Sequence, residues 1–315
     1  MMTKLCNESL SPLDRFRGCL LGLACGDALG TTVEFAARGS FQPLTDMVGG
    51  GPFHLQPGQW TDDTSMALCL AASLLYQNGF DATDQMNRYV NWWQHGYLSS
   101  TGECFDIGST TRRALETFLA SGDPFAGSTS PTAAGNGSLM RLAPIPLFFF
   151  NDRSATLHYA GESSRTTHAA AEAVDCCRLF ARTLSAALSG TERNDLLSGG
   201  EALVSSPRVQ EIARGGFTRK SRSEIKGSGY CVESLEAALW CFYTTNSWRE
   251  AVLQAVNLGD DADTTGAIAG QLAGAFYGAS GIPDEWISRL AMLNWVDSTA
   301  RELFARAMQQ TGKQI

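Results

Sequence analysis

The sequence predicts an all-α fold, and three observations carry that expectation. Apolar residues recur at spacings of three and four through most segments between glycine-rich breaks. No run alternates apolar and polar residues in the manner of a half-buried strand, and one late segment sets glycine on a single helical face at a strict spacing of four. In chain order, MALCLAASLLYQ from Met66 reads as a helix with one buried face, and a second helix is expected around 110–120. AAEAVDCCRLFARTLSAAL from Ala170 reads as a third, followed by helices around 232–243, 248–256, 266–277 and 286–308. In the segment after Gly266, glycines 266, 270, 274 and 278 share a face with Ala269 and Ala273 alongside. A helical glycine costs about 1 kcal/mol relative to alanine, so the repetition implies a central helix against which neighbours pack closely. A membrane reading of this spacing fails, because the apolar stretch is short and begins beside Asp260, Asp261 and Asp263.

Breaks at 49–57, 121–137 and 214–229 are neither long nor polar enough for an inter-domain linker, and no repeat of fixed period is present. The expectation is one domain over residues 1–315, a compact helical bundle, with residues 1–12 as a flexible N-terminal tail. Hydrophobic residues make up 44% and charged residues 18%, the balance of an ordinary globular protein. A net charge of -8 argues against nucleic acid or an acidic membrane as the main partner. The 9 cysteines, odd in number and without a CxxC pair, suggest reduced thiols in a cytoplasmic protein. CLLGLACG at 19–26 is flanked by acidic residues, unlike a secretory signal, and no apolar run approaches the roughly 20 residues of a membrane span.

The chemistry concentrates in two acidic motifs far apart in sequence, TDDTS from Thr61 and GDDADTTG from Gly259. Each places carboxylates and threonine hydroxyls at the entry of an apolar stretch. Adjacent Asp62 and Asp63, or Asp261 and Asp263 two apart, cannot share one face of a continuous helix, so both pairs belong on helix-entry turns. A threonine or aspartate there can simply cap backbone N–H groups. Capping explains one acid and not three, and crowded carboxylates are costly unless a cation neutralises them. An all-oxygen set suits Mg²⁺ or Mn²⁺, and two motifs meeting in the fold would hold a pair of ions. Zinc is disfavoured by the scatter of His54, His95, His158 and His168.

Three further elements have both a bland and a functional reading. GDALGTTVEF at 26–35 is a turn with a surface glutamate or, beside metals, supplies Glu34 as a general base. GNGSLMR at 135–141 is a plain turn or a phosphate cradle. Arg219, Lys220, Arg222 and Lys226 form a solvated basic face or flank an anionic ligand, and Tyr230 just beyond is core or a stacking platform.

With these residues in view, the chain resembles the ADP-ribosylglycohydrolase family, above all its bacterial members that release ADP-ribose from arginine on dinitrogenase reductase. The likeness rests on GLACGDALGTTVEF, PGQWTDDTSMAL, DIGSTTRR, GNGSLMR and VNLGDDADTTGAIAGQLAGAFYG, and spans most of the chain. It implies a single all-helical domain with two divalent cations, Mg²⁺ or Mn²⁺, in a central cleft. By matching motifs the ligands would be Thr61, Asp62, Asp63, Asp261, Asp263 and Thr264. Glu34 matches a glutamate implicated in catalysis or gating, and Asp106 a carboxylate that meets the departing guanidinium in arginine-specific members. Asn136, Gly137, Ser138 and Met140 match the loop around the distal ribose and diphosphate, His168 a histidine that contacts the ligand, and Tyr230 a residue that stacks on adenine. Asp260 departs from the pattern, standing where these members usually have glycine, as an extra acid close to the metals.

The resemblance implies an enzyme that cleaves the N-glycosidic bond of an arginine-linked ADP-ribosylated target protein and releases ADP-ribose. O-linked ADP-ribose on serine, O-acetyl-ADP-ribose and a non-catalytic ADP-ribose binder are the alternatives. Arginine hydrolysis would serve a metabolic enzyme under reversible control or the victim of an ADP-ribosylating toxin.

Overall fold

The computed structural model describes residues 10–311, and every regular element among them is helical; β pairing is confined to isolated bridges. In order the α-helices are α1 (Pro12–Gly30), α2 (Asp62–Gln77), α3 (Ala82–His95), α4 (Ser109–Ser121), α5 (Pro144–Phe148), α6 (Arg153–Arg165), α7 (Ala171–Leu188), α8 (Pro207–Ala213), α9 (Cys231–Tyr243), α10 (Trp248–Val256), α11 (Ala262–Tyr277), α12 (Asp284–Ile287) and α13 (Leu293–Thr311). No helix among the described residues is long and apolar enough to cross a membrane.

The all-α expectation holds, with differences that have physical causes. Residues 1–9 of the expected tail lie outside the described residues, whereas Ser11 already caps α1 by accepting the Asp14 N–H and Pro12 opens the helix. The helix expected over 286–308 is two helices. Between them Met292 adopts a left-handed φ of 50°, and Ala291 donates its N–H to the Gly58 carbonyl instead of continuing the helix. Periodicity did not announce α1, α3 or α6.

At the centre, α1 and α11 run antiparallel in contact along their whole length. Gly18 faces Gly274, Gly22 faces Gly270, Gly26 faces Gly266, and Gly30 faces Ala262. A Cβ added at Gly22 would fall 2.2 Å from the Gly270 carbonyl oxygen, and one at Gly270 would fall 2.0 Å from that of Gly22. The glycine face of α11 therefore meets a matching face on α1, backbone against backbone. The other helices wrap this pair: α2, α10 and α13 pack on α1, and α7, α9 and α10 on α11. α11 is buried from Ala262 to Ala275, and α1 from Gly18 to Gly30, so neither has a polar face.

Gly270→Ala should therefore destabilise the protein by about 3 kcal/mol, although the same change in an exposed helix would gain about 1. Denaturant unfolding checks this against Gly79→Ala, where an added Cβ meets nothing within 4 Å. Equal midpoints for the two variants would contradict the close seam.

Candidate active site

The seam ends at the acidic motifs. Asp27 sits one residue after Gly26 on α1, while Asp263 and Thr264 lie just before Gly266 on α11. Thr61 and Asp261 occupy the N-cap positions of α2 and α11, yet neither side chain caps its helix. The cap of α2 comes from α1. Asp27 Oδ1 accepts from the Thr61 N–H and hydroxyl, both at 2.9 Å, and Oδ2 accepts from the Thr64 N–H at 3.0 Å and hydroxyl at 2.6 Å. This substitution leaves Asp62 and Asp63, both buried in the first turn of α2, free for another task.

The acids converge on Asp263. Carboxylate oxygens of Asp27, Asp63 and Asp263 lie within 4.8 Å of one another, as do those of Glu34, Asp106 and Asp263. Thr61 Oγ1 stands 3.2 Å from both Asp63 Oδ2 and Asp263 Oδ2, and Thr264 Oγ1 is 3.4 Å from Asp63 Oδ2. Asp63 Oδ1, Asp263 Oδ1 and Glu34 Oε2 are buried without a hydrogen-bond partner. Among the described residues, none of the ion pairs reaches these carboxylates. Buried anions with free oxygens and no cationic side chain are the donor set a hard divalent cation requires, so the residues present fit such an ion. Glu34 is buried, against its bland reading as a surface residue.

Without a counter-charge, every acid of the cluster holds its proton more tightly than usual. Burial, then repulsion from Asp106 and Asp261, pushes Glu34 up to about 9. Burial and the Asp261 charge raise Asp106 to about 7, and burial alone raises Asp27 to about 6 against the pull of its four threonine hydrogen bonds. Asp62, Asp63 and Asp263 stand well above the carboxylate range for the same two reasons, and burial also raises Asp261.

Above the cluster opens a cavity of about 360 Å³, lined by Glu34, Phe35, Asp62, Asp106, Asp261, Asp263 and Thr264 on its acidic side. Gly135, Asn136, Gly137, Met140, His168 and the first turn of α4 complete the wall. Asn136 Nδ2 donates to Asp261 Oδ2 at 2.7 Å and to Ser234 Oγ at 2.9 Å, so its amide orients an acid. The Met140 carbonyl accepts from Gln271 on α11 at 2.6 Å, tying the loop to the seam helix.

His168 is fixed by a relay. Arg141 Nη2 donates to Thr167 Oγ1 at 2.8 Å, and that oxygen is hydrogen-bonded to His168 Nδ1, also at 2.8 Å. The other ring nitrogen, Nε2, faces Gly135 and Gly137, and carries the ring hydrogen when the threonine hydroxyl donates to Nδ1. Burial and the Arg141 charge lower the imidazole to about 3, so it stays neutral.

Two expected ligand contacts are absent from the cavity wall. Ser138 turns its hydroxyl into the core, 2.8 Å from Ser164 Oγ, because the turn closed by the Met140 N–H on the Asn136 carbonyl puts Asn136 and Met140 on the cavity side and Ser138 and Leu139 in the interior. Tyr230 lines a neighbouring cavity of about 380 Å³, where its hydroxyl binds Glu172 and Arg208 and the Arg208 guanidinium lies 5.8 Å from the ring centroid. Only Gly229, one residue earlier, reaches the acidic cavity. Of the basic cluster, Lys220 pairs with Glu236 and Lys226 with Glu233. Asp260 takes a φ of 57° and an exposed side chain, which accounts for the glycine expected there and leaves it off the cavity wall that Asp62 and Asp261 line. It acts on the cluster through space, raising Asp261. Sequence reasoning missed Asp27 as the cap of α2 and Phe35 as a wall of the cavity.

A family model for ADP-ribosylglycohydrolase matches residues 8–313. The chain belongs to the ADP-ribosylglycohydrolase family. It is 48% identical over 297 residues to the ADP-ribosylarginine hydrolase Tri1 of Pseudomonas putida (strain GB-1), covering 94% of this chain and 80% of that protein. Identity to the ADP-ribosyl-[dinitrogen reductase] glycohydrolase of Rhodospirillum rubrum is 33% over 286 residues, covering 89% and 91%. The sequence therefore stands nearer to the Pseudomonas protein than to the dinitrogen reductase type that its motifs suggested. A solved structure described as an ADP-ribosylglycohydrolase-related protein complex superposes with a TM-score of 0.85 at 43% identity, covering 94% of this chain and 99% of that one.

The raised acids make stability depend on pH in a defined direction. Each carboxyl binds its proton more tightly folded than unfolded, so stability is greatest below the ordinary carboxylate range and falls as pH rises toward the folded values, which for Glu34 is about 9. In chelator, Tm should fall from pH ~5 to ~9, and Mg²⁺ or Mn²⁺ should raise it most at the alkaline end. A Tm in chelator that is flat across this range, or blind to the cation, would contradict the charge cluster.

Proposed function

We propose that the protein hydrolyses the N-glycosidic bond joining ADP-ribose to an arginine side chain of a modified target protein, releasing ADP-ribose and intact arginine. The observation that carries this reading is the set of buried, unpartnered carboxylate oxygens on Asp63, Asp263 and Glu34 beneath a cavity that also presents Asp106. The names and extents of the relatives support the arginine linkage. The described cysteines are all free, in keeping with a reducing cytoplasm.

Thr61, Asp62, Asp63, Asp261, Asp263 and Thr264 would hold two divalent cations, Mg²⁺ or Mn²⁺. When bound, such ions supply Lewis-acid polarisation and a template for the ribose and the attacking water. Glu34, with Oε2 free and its neighbours acidic, takes a proton from water as the water oxygen bonds to the anomeric carbon. The C–N electron pair leaves with the guanidine, which takes up the proton that Glu34 gives back. Asp106, within the Glu34 and Asp263 group, holds the resulting guanidinium and keeps this transfer short.

The rest of the ADP-ribose is gripped by groups that carry no negative charge. His168 presents its Nε2–H, Asn136 keeps its side-chain carbonyl, and the uncapped first turn of α4 offers backbone N–H groups to the diphosphate. Gly137 leaves room for close approach, its Cβ position lying 2.8 Å from the His168 ring. Met140 closes the floor against Thr264. Tyr230 lies one residue beyond the wall, where an adenine leaving the cavity past Gly229 would meet its ring.

The test is ADP-ribose release from a protein ADP-ribosylated on arginine, in Mg²⁺ or Mn²⁺ and in chelator. Wild type should release it only with metal, and Asp261→Asn or Asp62→Ala should lose about 100-fold or more, with thermal unfolding in chelator still cooperative. Asp106→Ala should lose far more on the arginine linkage than on a serine linkage. Release that survives chelation, or ligand variants as active as wild type in limiting metal, would defeat the assignment.

A further inference from the structure

Phe35 breaks two ordinary rules at the mouth of the cavity. It is a large apolar side chain left 67% exposed, and its backbone sits at a φ of 61°, a conformation bulky residues avoid. The conformation is imposed from outside: the Phe35 N–H donates to the Asp260 carbonyl at 2.7 Å, and the Asp260 N–H donates to the Ala36 carbonyl at 2.8 Å. Strained, over-determined residues of this kind gather at ligand sites. Here the strain turns the ring outward immediately beside Glu34 while keeping Phe35 in the cavity wall.

Two more phenylalanines from separate segments extend the surface. Phe53 meets Phe35 edge to face with ring centroids 6.4 Å apart, and Phe105, the residue before Asp106, lies 5.2 Å from Phe53. Among the described residues several arginines stack on aromatic rings, but none on these three. The mouth thus pairs the exposed Phe35 ring, backed by the half-buried Phe53 and Phe105, with carboxylates, the combination that a planar guanidinium satisfies and a hydroxyl-linked side chain does not.

Building on the arginine-linkage reading, we propose that Phe35, backed by Phe53 and Phe105, is the platform for the guanidinium and adjoining methylenes of the modified arginine and so sets linkage specificity. The occupant is the side chain of the protein substrate, and not the nucleotide.

The experiment compares Phe35→Ala, Phe35→Leu and Phe35→Trp in the full chain with metal. It reads kcat and KM on an arginine-ADP-ribosylated protein and the Kd for free ADP-ribose by calorimetry. Phe35→Ala and Phe35→Leu should each lower kcat/KM about tenfold, mainly through KM, with the ADP-ribose Kd within about twofold, and Phe35→Trp should retain activity. Kinetics unchanged in Phe35→Ala, full activity in Phe35→Leu, or a parallel loss of ADP-ribose affinity would each overturn the platform. Wild type run alongside separates the levels: if it releases nothing from arginine, the functional reading falls and takes the platform with it, whereas active wild type with any of those outcomes overturns the platform alone.

Discussion

Everything in this fold depends on two helices brought to backbone contact. With glycine at every fourth residue on both sides, α1 and α11 approach closely enough that the side chains at the end of the seam come from opposite helices into one small volume. Asp27 and Asp263 are neighbours because Gly26 and Gly266 are. A single added methyl in the middle of the seam would collide with a carbonyl, and the displacement would be felt by the acids at its end. The conformational cost of so many helical glycines is offset by burial of both helices along their length.

The same geometry turns a structural device into a chemical one. Asp27 reaches from α1 to cap α2, which ties the first acidic motif to the seam and relieves Asp62 and Asp63 of capping. The outcome is a nest of carboxylates that repel one another, each held by elements whose stability derives from packing elsewhere. Burial and repulsion raise their affinity for protons, and by the same physics for a divalent cation. The neutral wall opposite, built from Asn136, Gly137, His168 and the α4 terminus, suits a ligand whose charge lies away from the carboxylates.

Much of this was legible in the sequence, and the gaps have reasons. The acidic motifs, the glycine face of α11, Glu34 and the Asn136 loop stand out because each is a local pattern, whereas Asp106 and His168 were reached only through the family resemblance. The matching face at Gly18, Gly22, Gly26 and Gly30 did not, because α1 is buried all round and a helix without a polar face carries no periodic signal. Asp27 looked like a turn residue, since a cap supplied from another helix has no sequence signature. Ser138 and Tyr230 lie in segments whose neighbours line the cavity, but the direction of a loop side chain is decided by tertiary packing: the core claims Ser138, while Glu172 and Arg208 claim Tyr230. Asp260 shows the converse, a departure in sequence that the backbone explains as a left-handed turn position and not as an added ligand.

The central claim is that the seam assembles these acids around divalent cations. Anomalous diffraction from crystals grown with Mn²⁺ addresses it most directly. Manganese peaks bounded by the Asp63 and Asp263 carboxylates, with Asp62, Asp261 and the threonine hydroxyls of Thr61 and Thr264 around them, are the expected result. Saturating Mn²⁺ with no peak at Asp63 and Asp263 would contradict the account and leave the cluster as a set of protonated carboxyls.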